Sequence, residues 1–232
     1  SLNLGVLEQL LVLSIFVLNQ DLIGGNVVIG IFEDDRFATS FSLLAISSWL
    51  TNRYKQYSIF TLLSIFTHIQ IGLFWFGFVS VFELLKRNKS YLKHIRNILL
   101  FSLPVIIPTA NEFLFGKNEL VYAFNKTSSW VYAFIFQAYH VAPFEVDGIV
   151  FNDFLLRNWS RGFTNVLIFC LVSIYLYKFT KHEKLKYFVV FFTIYFPTAL
   201  LLLFLDSKLS NPGQLSSLFL FRYDTVFYLI IL

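Results

Sequence analysis

Three consecutive acids, Glu33, Asp34 and Asp35, stand before Arg36 at the start of an apolar stretch. Neighbouring carboxylates can supply a general base, because the charge of one raises the pKa of the next, and they can also hold a divalent cation. Acids in this place also cap a helix and interact favourably with its dipole. Capping accounts well for one acid and poorly for three, so both interpretations stay open.

A second group of residues with chemical potential lies in the segment YHVAPFEVD, which contains His140, Glu145 and Asp147. A histidine near two acids can do acid–base chemistry or bind a metal, but an interfacial loop without chemistry has the same composition. The spacing selects no metal, because the chain contains no HExxH motif. We take the three residues as candidates for substrate binding, assign no metal ligands and leave the cofactor open, a divalent cation included.

Polar side chains also interrupt two long apolar stretches. His68 lies inside the first, and Arg222 and Asp224 lie inside the last. At membrane depth such groups need a partner or a water-filled cavity. Arg222 is therefore a candidate for holding a phosphate, or one half of a structural ion pair. His68 is either a cavity residue or a histidine bonded to a neighbouring helix.

Several function classes lack their motifs in this chain. The patterns GxxxxGK[ST], GxGxxG and GxSxG are absent, which argues against nucleotide hydrolysis, dinucleotide chemistry and a serine hydrolase. The one cysteine, Cys170, excludes a disulfide framework and a cysteine-rich zinc site. We also expect no nucleic-acid partner.

The composition of the chain indicates the class of fold that positions these candidate residues. Of the 232 residues 57% are hydrophobic and 14% are charged, and thirty are Phe. Soluble domains have about 25% charged residues. We therefore predict an all-α, polytopic transmembrane helical bundle with the lipid bilayer as its main partner. We expect residues 1–232 to form one integral membrane domain. Because the chain begins at Ser1 and has no Met, we also expect it to be a fragment.

Several apolar stretches are short for a bilayer, and one is long. The longest runs from Tyr57 to Leu85, with His68 and Gln70 at its middle and Gly72 just after them. Broken backbone at membrane depth survives only where protein or water satisfies it. We predict that this stretch is broken or forms a hairpin, with the break lining a cavity, although one tilted helix is the alternative.

Basic residues cluster in the loops 86–96 and 178–186, which the positive-inside rule places in the cytoplasm. A hairpin at 57–85 would bring Arg53 and Lys55 to the same side. The stretch 111–161 then lies outside. Its mixture of aromatic and charged residues favours an amphipathic loop of short interfacial helices.

The segment EDDRFATSFSLLAISSWLTNRYKQYSIFTLLSIFTHIQIGLFWFGFVSVFELL, residues 33–85, places acids and an arginine before a short helix, then a basic turn, then a helix ending in a histidine. In this it resembles the polytopic membrane proteins of glycan assembly, the GT-C type glycosyltransferases and the Wzy-type polysaccharide polymerases. The closing FLFRYDTVFYLIIL is similar to their late helix that carries an arginine.

The resemblance implies transfer of a sugar from a polyprenyl-phosphate-linked donor at the outer face of a bacterial inner membrane. It implies that Asp34 or Asp35 is the catalytic base and that Arg36 and Arg222 hold the phosphate of the donor. His68 and His140 would line the cavity. The alternatives are a multi-pass transporter or permease and a non-catalytic membrane assembly protein, so the sequence leaves open whether the chain is an enzyme.

Overall fold

In the computed structural model, the structure describes residues 34–115, 120–121, 126–127, 170–175 and 177–208, with the single positions 10, 164 and 167. These residues are helical apart from turns and one short pair of strands. The chain divides into two compact units, Ser1–Leu18 with Val27–Gly116 and Asn19–Asn26 with Lys117–Leu232. Whether they form the single membrane domain expected from the sequence stays a prediction.

The first unit contains four described helices: α1, Asp34–Leu50; α2, Tyr54–Thr67; α3, Ile69–Leu85; and α4, Lys89–Phe115. Each helix runs antiparallel to the one before it. The Ser64 hydroxyl near the end of α2 lies 2.9 Å from the Ala38 carbonyl near the start of α1. The Tyr54 hydroxyl at the start of α2 lies 3.3 Å from Glu83 near the end of α3. The α1–α4 unit is therefore an up-and-down bundle.

Two of the three helix connections use the same backbone motif. Asn52 and Arg87 have positive φ angles of 60° and 53°. Arg53 N donates to Ser48 O at 2.7 Å and Asn88 N donates to Glu83 O at 3.0 Å. A left-handed residue followed by a bond that spans five residues is the Schellman motif, which satisfies the last carbonyls of a helix. Both α1 and α3 end in this way.

The third connection consists of His68 alone, which has extended backbone with φ −150° and ψ 102°. A Cβ built on Gly72 would come within 2.5 Å of the Ile65 Cα. A glycine at position 72 therefore lets α2 and α3 approach closely directly after the turn. The stretch from Tyr57 to Leu85 is two helices joined as a hairpin, which confirms that form of the prediction. The extended residue links the two helices.

The interior of the α1–α4 unit contains aromatic rings and small polar residues. The Trp49 ring contacts those of Phe82 and Phe78 edge-on, with centroids 5.3 and 5.9 Å apart. Buried hydroxyl residues lie among the helices: Thr39, Ser42, Ser48, Thr61, Ser64, Ser80 and Ser102. Small residues of this kind are typical of helix contacts in membranes, because they let backbones come close.

Two boundaries differ from the sequence prediction. Helix α1 begins at Asp34, so Asp34 and Asp35 lie in its first turn and do not precede it. Helix α4 continues to Phe115 with Pro104 and Pro108 inside it, and so extends into the predicted outer loop 111–161. Beyond it, the described part of that loop is an antiparallel pair, β1 Leu120–Val121 and β2 Lys126–Thr127. The aromatic pieces at 130–139 and 151–159, on which the expected interfacial helices rest, lie outside the described residues.

The second unit contains two described helices, α5, Cys170–Phe179, and α6, Glu183–Ser207. The Lys186 ammonium lies over the Tyr177 ring at 5.4 Å from its centroid. Among the described residues, one helix, Glu183–Asp206, is long and apolar enough to cross a membrane. This stretch includes the predicted segment from Tyr187 to Leu205, so one of the predicted spans has a matching helix.

Candidate functional site

The α1–α4 unit has two chemically different ends, because its helices alternate in direction. One end contains the turns 51–53 and 86–88, and we call it the basic end. Its cationic side chains are Arg53, Lys55, Lys86, Arg87, Lys89, Lys93 and Arg96, all of them exposed. The other end contains the start of α1 and the His68 turn, and we call it the hairpin end.

Between the two ends the helices carry no charge. Asp, Glu, Lys and Arg are absent from residues 37–52, 56–82 and 97–111. The same stretches expose large apolar side chains: Phe37, Leu44, Ile59, Leu63, Phe66, Val81, Leu99, Leu100, Phe101, Leu103 and Ile107. An exterior of this kind is costly in water and suits contact with hydrocarbon.

At the hairpin end the structure brings together four of the residues predicted to act in catalysis or binding. Asp34, Asp35 and Arg36 form the first turn of α1, and His68 follows the last residue of α2. The ends of α1 and α2 are joined through Ser64, whose hydroxyl lies 2.9 Å from the Ala38 carbonyl and 2.8 Å from the Ser42 hydroxyl. The hairpin thus places His68 at the end predicted to face outward.

Two of these side chains are partly buried. Arg36 and His68 are both half-buried, and the Nε atom of Arg36 and the Nδ1 atom of His68 are closed to solvent. A guanidinium at the start of a helix adds its charge to the positive end of the helix dipole. Arg36 therefore provides a positive charge at this end, in the same helix turn as Asp34 and Asp35.

The other predicted site residues, His140, Glu145, Asp147 and Arg222, lie outside the described residues. Their roles stay predictions. Within the part of the chain that the structure describes, no group of three or more His, Cys, Asp or Glu side chains could hold a metal ion. The described residues alone therefore supply no site for the divalent cation considered from the sequence.

At the basic end the structure reveals a polar cluster that the sequence analysis missed. Glu83 is only 2% exposed. Its Oε1 accepts a hydrogen bond from the Trp49 indole at 2.6 Å, and its Oε2 accepts one from the Asn88 amide at 2.6 Å. The Tyr54 hydroxyl lies 3.3 Å from Oε1 and accepts a bond of 3.2 Å from Asn88. We call Glu83, Trp49, Tyr54 and Asn88 the carboxylate clasp.

The hydrogen bonds of the carboxylate clasp offset the unfavourable position of the Glu83 carboxylate. Glu83 lies in the last turn of α3, where the helix dipole disfavours a negative charge, and it is removed from water. Donors from α1, from α2 and from the turn after α3 supply the hydrogen bonds that water would have made. The Glu83 carboxyl group therefore joins α3 to α1, to α2 and to the turn after α3.

Two titratable groups report the surroundings of the basic end. Burial, followed by the nearby Glu83 charge, raises the pKa of Tyr54 above its usual value. Burial, followed by the charges of Lys93 and Lys55, lowers the pKa of His94. The His94 ring also shares a hydrogen bond of 2.8 Å with Ser58, which joins α4 to α2. Lys55 and Lys93, far apart in sequence, thus act on one imidazole.

One sequence signal could have revealed the clasp. Glu83 is the sole acid between Asp35 and Glu112. An isolated acid at the edge of an apolar stretch needs donors, and Trp, Tyr and Asn are donors without charge. The sequence analysis placed Glu83 inside the apolar stretch from Tyr57 to Leu85 and assigned it no role.

Comparison with known proteins finds no matching family model, no matching curated protein and no matching solved structure.

Proposed function

We propose that the chain is a polytopic integral membrane protein that transfers a sugar from a polyprenyl-phosphate-linked donor at the outer face of a bacterial inner membrane. The observation that carries the membrane part is the charge-free middle of the α1–α4 unit, with its exposed apolar side chains. The α6 helix, long and apolar enough to span, supports it. By the positive-inside rule the basic end then faces the cytoplasm and the hairpin end faces outward.

The chemistry is assigned to the hairpin end. Asp34 or Asp35 deprotonates the acceptor hydroxyl, since a sugar hydroxyl needs a base as it attacks. Arg36 stabilises the phosphate that leaves with the polyprenyl chain. His68 lies at the same end as these residues, and we assign it to the lining of the sugar-binding cavity. The support from the fold is that all four residues share the end opposite the basic end.

A labelling experiment tests the membrane topology first. In a Cys170→Ser background, Lys89→Cys and Asn111→Cys place one thiol near each end of α4, at exposed positions. A membrane-impermeant maleimide should label Asn111→Cys in intact cells and Lys89→Cys only after permeabilisation. Labelling of both thiols in intact cells would contradict the proposed topology.

The chemistry is tested by a pair of substitutions at the hairpin end. Asp34→Asn with Asp35→Asn should reduce sugar transfer at least about a hundredfold, because it removes the base. Release of polyprenyl phosphate is measured in native membranes, which supply the acceptor, with a polyprenyl-phosphate-linked hexose as donor. Ser40→Ala, one turn further along α1 and exposed, is the matched control. Full transfer by the double variant would exclude the acids and favour a transport or assembly role.

A further inference from the structure

We infer that the basic end is a binding site for the headgroup of an anionic phospholipid. Its two turns are distant in sequence, yet they form one surface with seven exposed cationic side chains. The inference rests on the proposed membrane location of the α1–α4 unit and adds to it a preference among lipids.

The carboxylate clasp makes the two turns one surface. Trp49 and Tyr54 flank the first turn and Asn88 belongs to the second, and all three bond to the Glu83 carboxyl group. The Ser58 to His94 bond holds α4 beside α2 next to the same turns. The backbones of both turns are therefore held next to each other, so that their exposed cations can act on one bound anion.

The local balance of charge favours an anion. The only acid in the described turns and flanking helices at this end is Glu83, which is buried and bonded inside the clasp. The exposed charged side chains of this end are thus all positive. Lys55 and Lys93 both disfavour the protonated form of His94, which shows that their fields overlap there.

The surroundings of the cations favour a lipid over a soluble anion. Leu84, Leu85 and Leu92 are 51%, 72% and 48% exposed, directly beside Lys86, Arg87 and Lys93 in sequence. Apolar side chains next to cations match the boundary between acyl chains and headgroups. A nucleic-acid backbone offers exposed leucines no apolar contact, whereas the acyl chains of a lipid do.

One of the cations, Arg87, stands at a position with unusual backbone conformation. Arg87 occupies the left-handed position of its turn, with φ 53°, a conformation that favours Gly or Asn. An arginine is not needed there for the turn itself. Its planar guanidinium can bond two oxygens of one phosphate, which a glycine could not do.

The test uses the full chain in mixed micelles and measures lipid affinity by native mass spectrometry. The probes are phosphatidylglycerol, which is anionic, and phosphatidylcholine, which is zwitterionic. The wild type should bind phosphatidylglycerol at least about tenfold more tightly, given the contribution of each Lys or Arg near an anionic surface. Equal affinities for the two lipids would overturn the inference.

Two double variants test whether both turns belong to one site. Arg53→Gln with Lys55→Gln alters the first turn, and Lys86→Gln with Arg87→Gln alters the second. Each should weaken phosphatidylglycerol binding roughly tenfold or more and leave phosphatidylcholine unchanged. Lys178→Gln with Lys181→Gln removes the same charge from exposed positions in the second unit and should change the affinity less than about twofold.

Three further results would overturn the assignment. An equal loss in the control variant would show a net-charge effect without a site. Displacement of phosphatidylglycerol by low millimolar inorganic phosphate would assign the site to a free anion, and tighter binding of a short RNA would assign it to nucleic acid. Thermal unfolding of every variant checks the fold. The thiol-labelling experiment fails or succeeds separately, so the proposed topology and the lipid site are tested independently.

Discussion

At the basic end, α1, α2 and α3 meet around one carboxyl group, whereas at the hairpin end α2 and α3 meet where Gly72 lacks a side chain. The first contact consists of directional hydrogen bonds to Glu83, and the second is a close approach of two backbones. In the membrane location proposed above, where helices lack a hydrophobic driving force toward each other, both kinds of contact can hold a bundle together. The two ends should therefore tolerate different substitutions. At the basic end, stability depends on whether residue 83 can accept hydrogen bonds. At the hairpin end, it depends on the size of the side chain at position 72.

Replacing the acceptor should have the largest effect on stability. Glu83→Leu leaves the Trp49 indole without its buried acceptor and deprives Tyr54 and Asn88 of one partner each, which should cost about 3 kcal/mol in unfolding free energy. Glu83→Gln keeps one carbonyl acceptor and should cost about 1 kcal/mol. Denaturant unfolding in micelles measures both. If the two variants were equally stable, the clasp would owe its contribution to shape and not to hydrogen bonding.

Adding one methyl group at the hairpin end should have the next largest effect. A Cβ at Gly72 meets the backbone of Ile65, which cannot move without separating the helices, so Gly72→Ala should lose about 1–3 kcal/mol. Gly77→Ala is the matched control on the same helix, because no atom lies within 4 Å of its Cβ position. This control should gain up to about 1 kcal/mol from helix propensity. If Gly72→Ala were as stable as Gly77→Ala, the close approach of α2 and α3 at Gly72 would not contribute to stability.

Acidification should have the smallest effect, and it acts on the basic end. The pKa of His94 is lowered in the folded chain, first by burial and then by Lys93 and Lys55, from the usual 6.5. Below pH 6.5 the His94 side chain binds a proton more readily in the unfolded chain than in the folded one. The free energy of unfolding therefore decreases as the pH is lowered from about 6.5 to the pKa of His94 in the folded chain. Unfolding measured from pH 7.5 to 5.5 should show this slope, and His94→Gln should reduce it. An unchanged slope in that variant would assign the pH dependence to another group.

The sequence predicted the helical class and the break near His68, since composition and a polar pair inside an apolar stretch are both local signals. The hairpin form is confirmed, with His68 as its link, whereas the cavity beside the break stays a prediction. Gly72 was noted as part of the break, but its contact with Ile65 depends on two helices meeting, which no local pattern encodes.

Less of the two polar sites than of the fold could be predicted from the sequence. The grouping of Asp34, Asp35, Arg36 and His68 followed from alternation of helix direction, which loop charges indicate. The carboxylate clasp did not, because its four members come from four segments and the three donors to Glu83 carry no charge. A buried acid bonded by neutral donors leaves no charge pattern along the chain.

The links between the helices have a consequence for how the unit assembles. Residues 51–53, His68 and residues 86–88 are the only non-helical positions from α1 to the described end of α4. Closing so short a loop costs little chain entropy, and docking each helix on its predecessor keeps contacts local in sequence. The α2–α3 hairpin, with a link of one residue, is the pair with the shortest loop to close. Short links of this kind therefore favour docking of each helix on its predecessor in chain order.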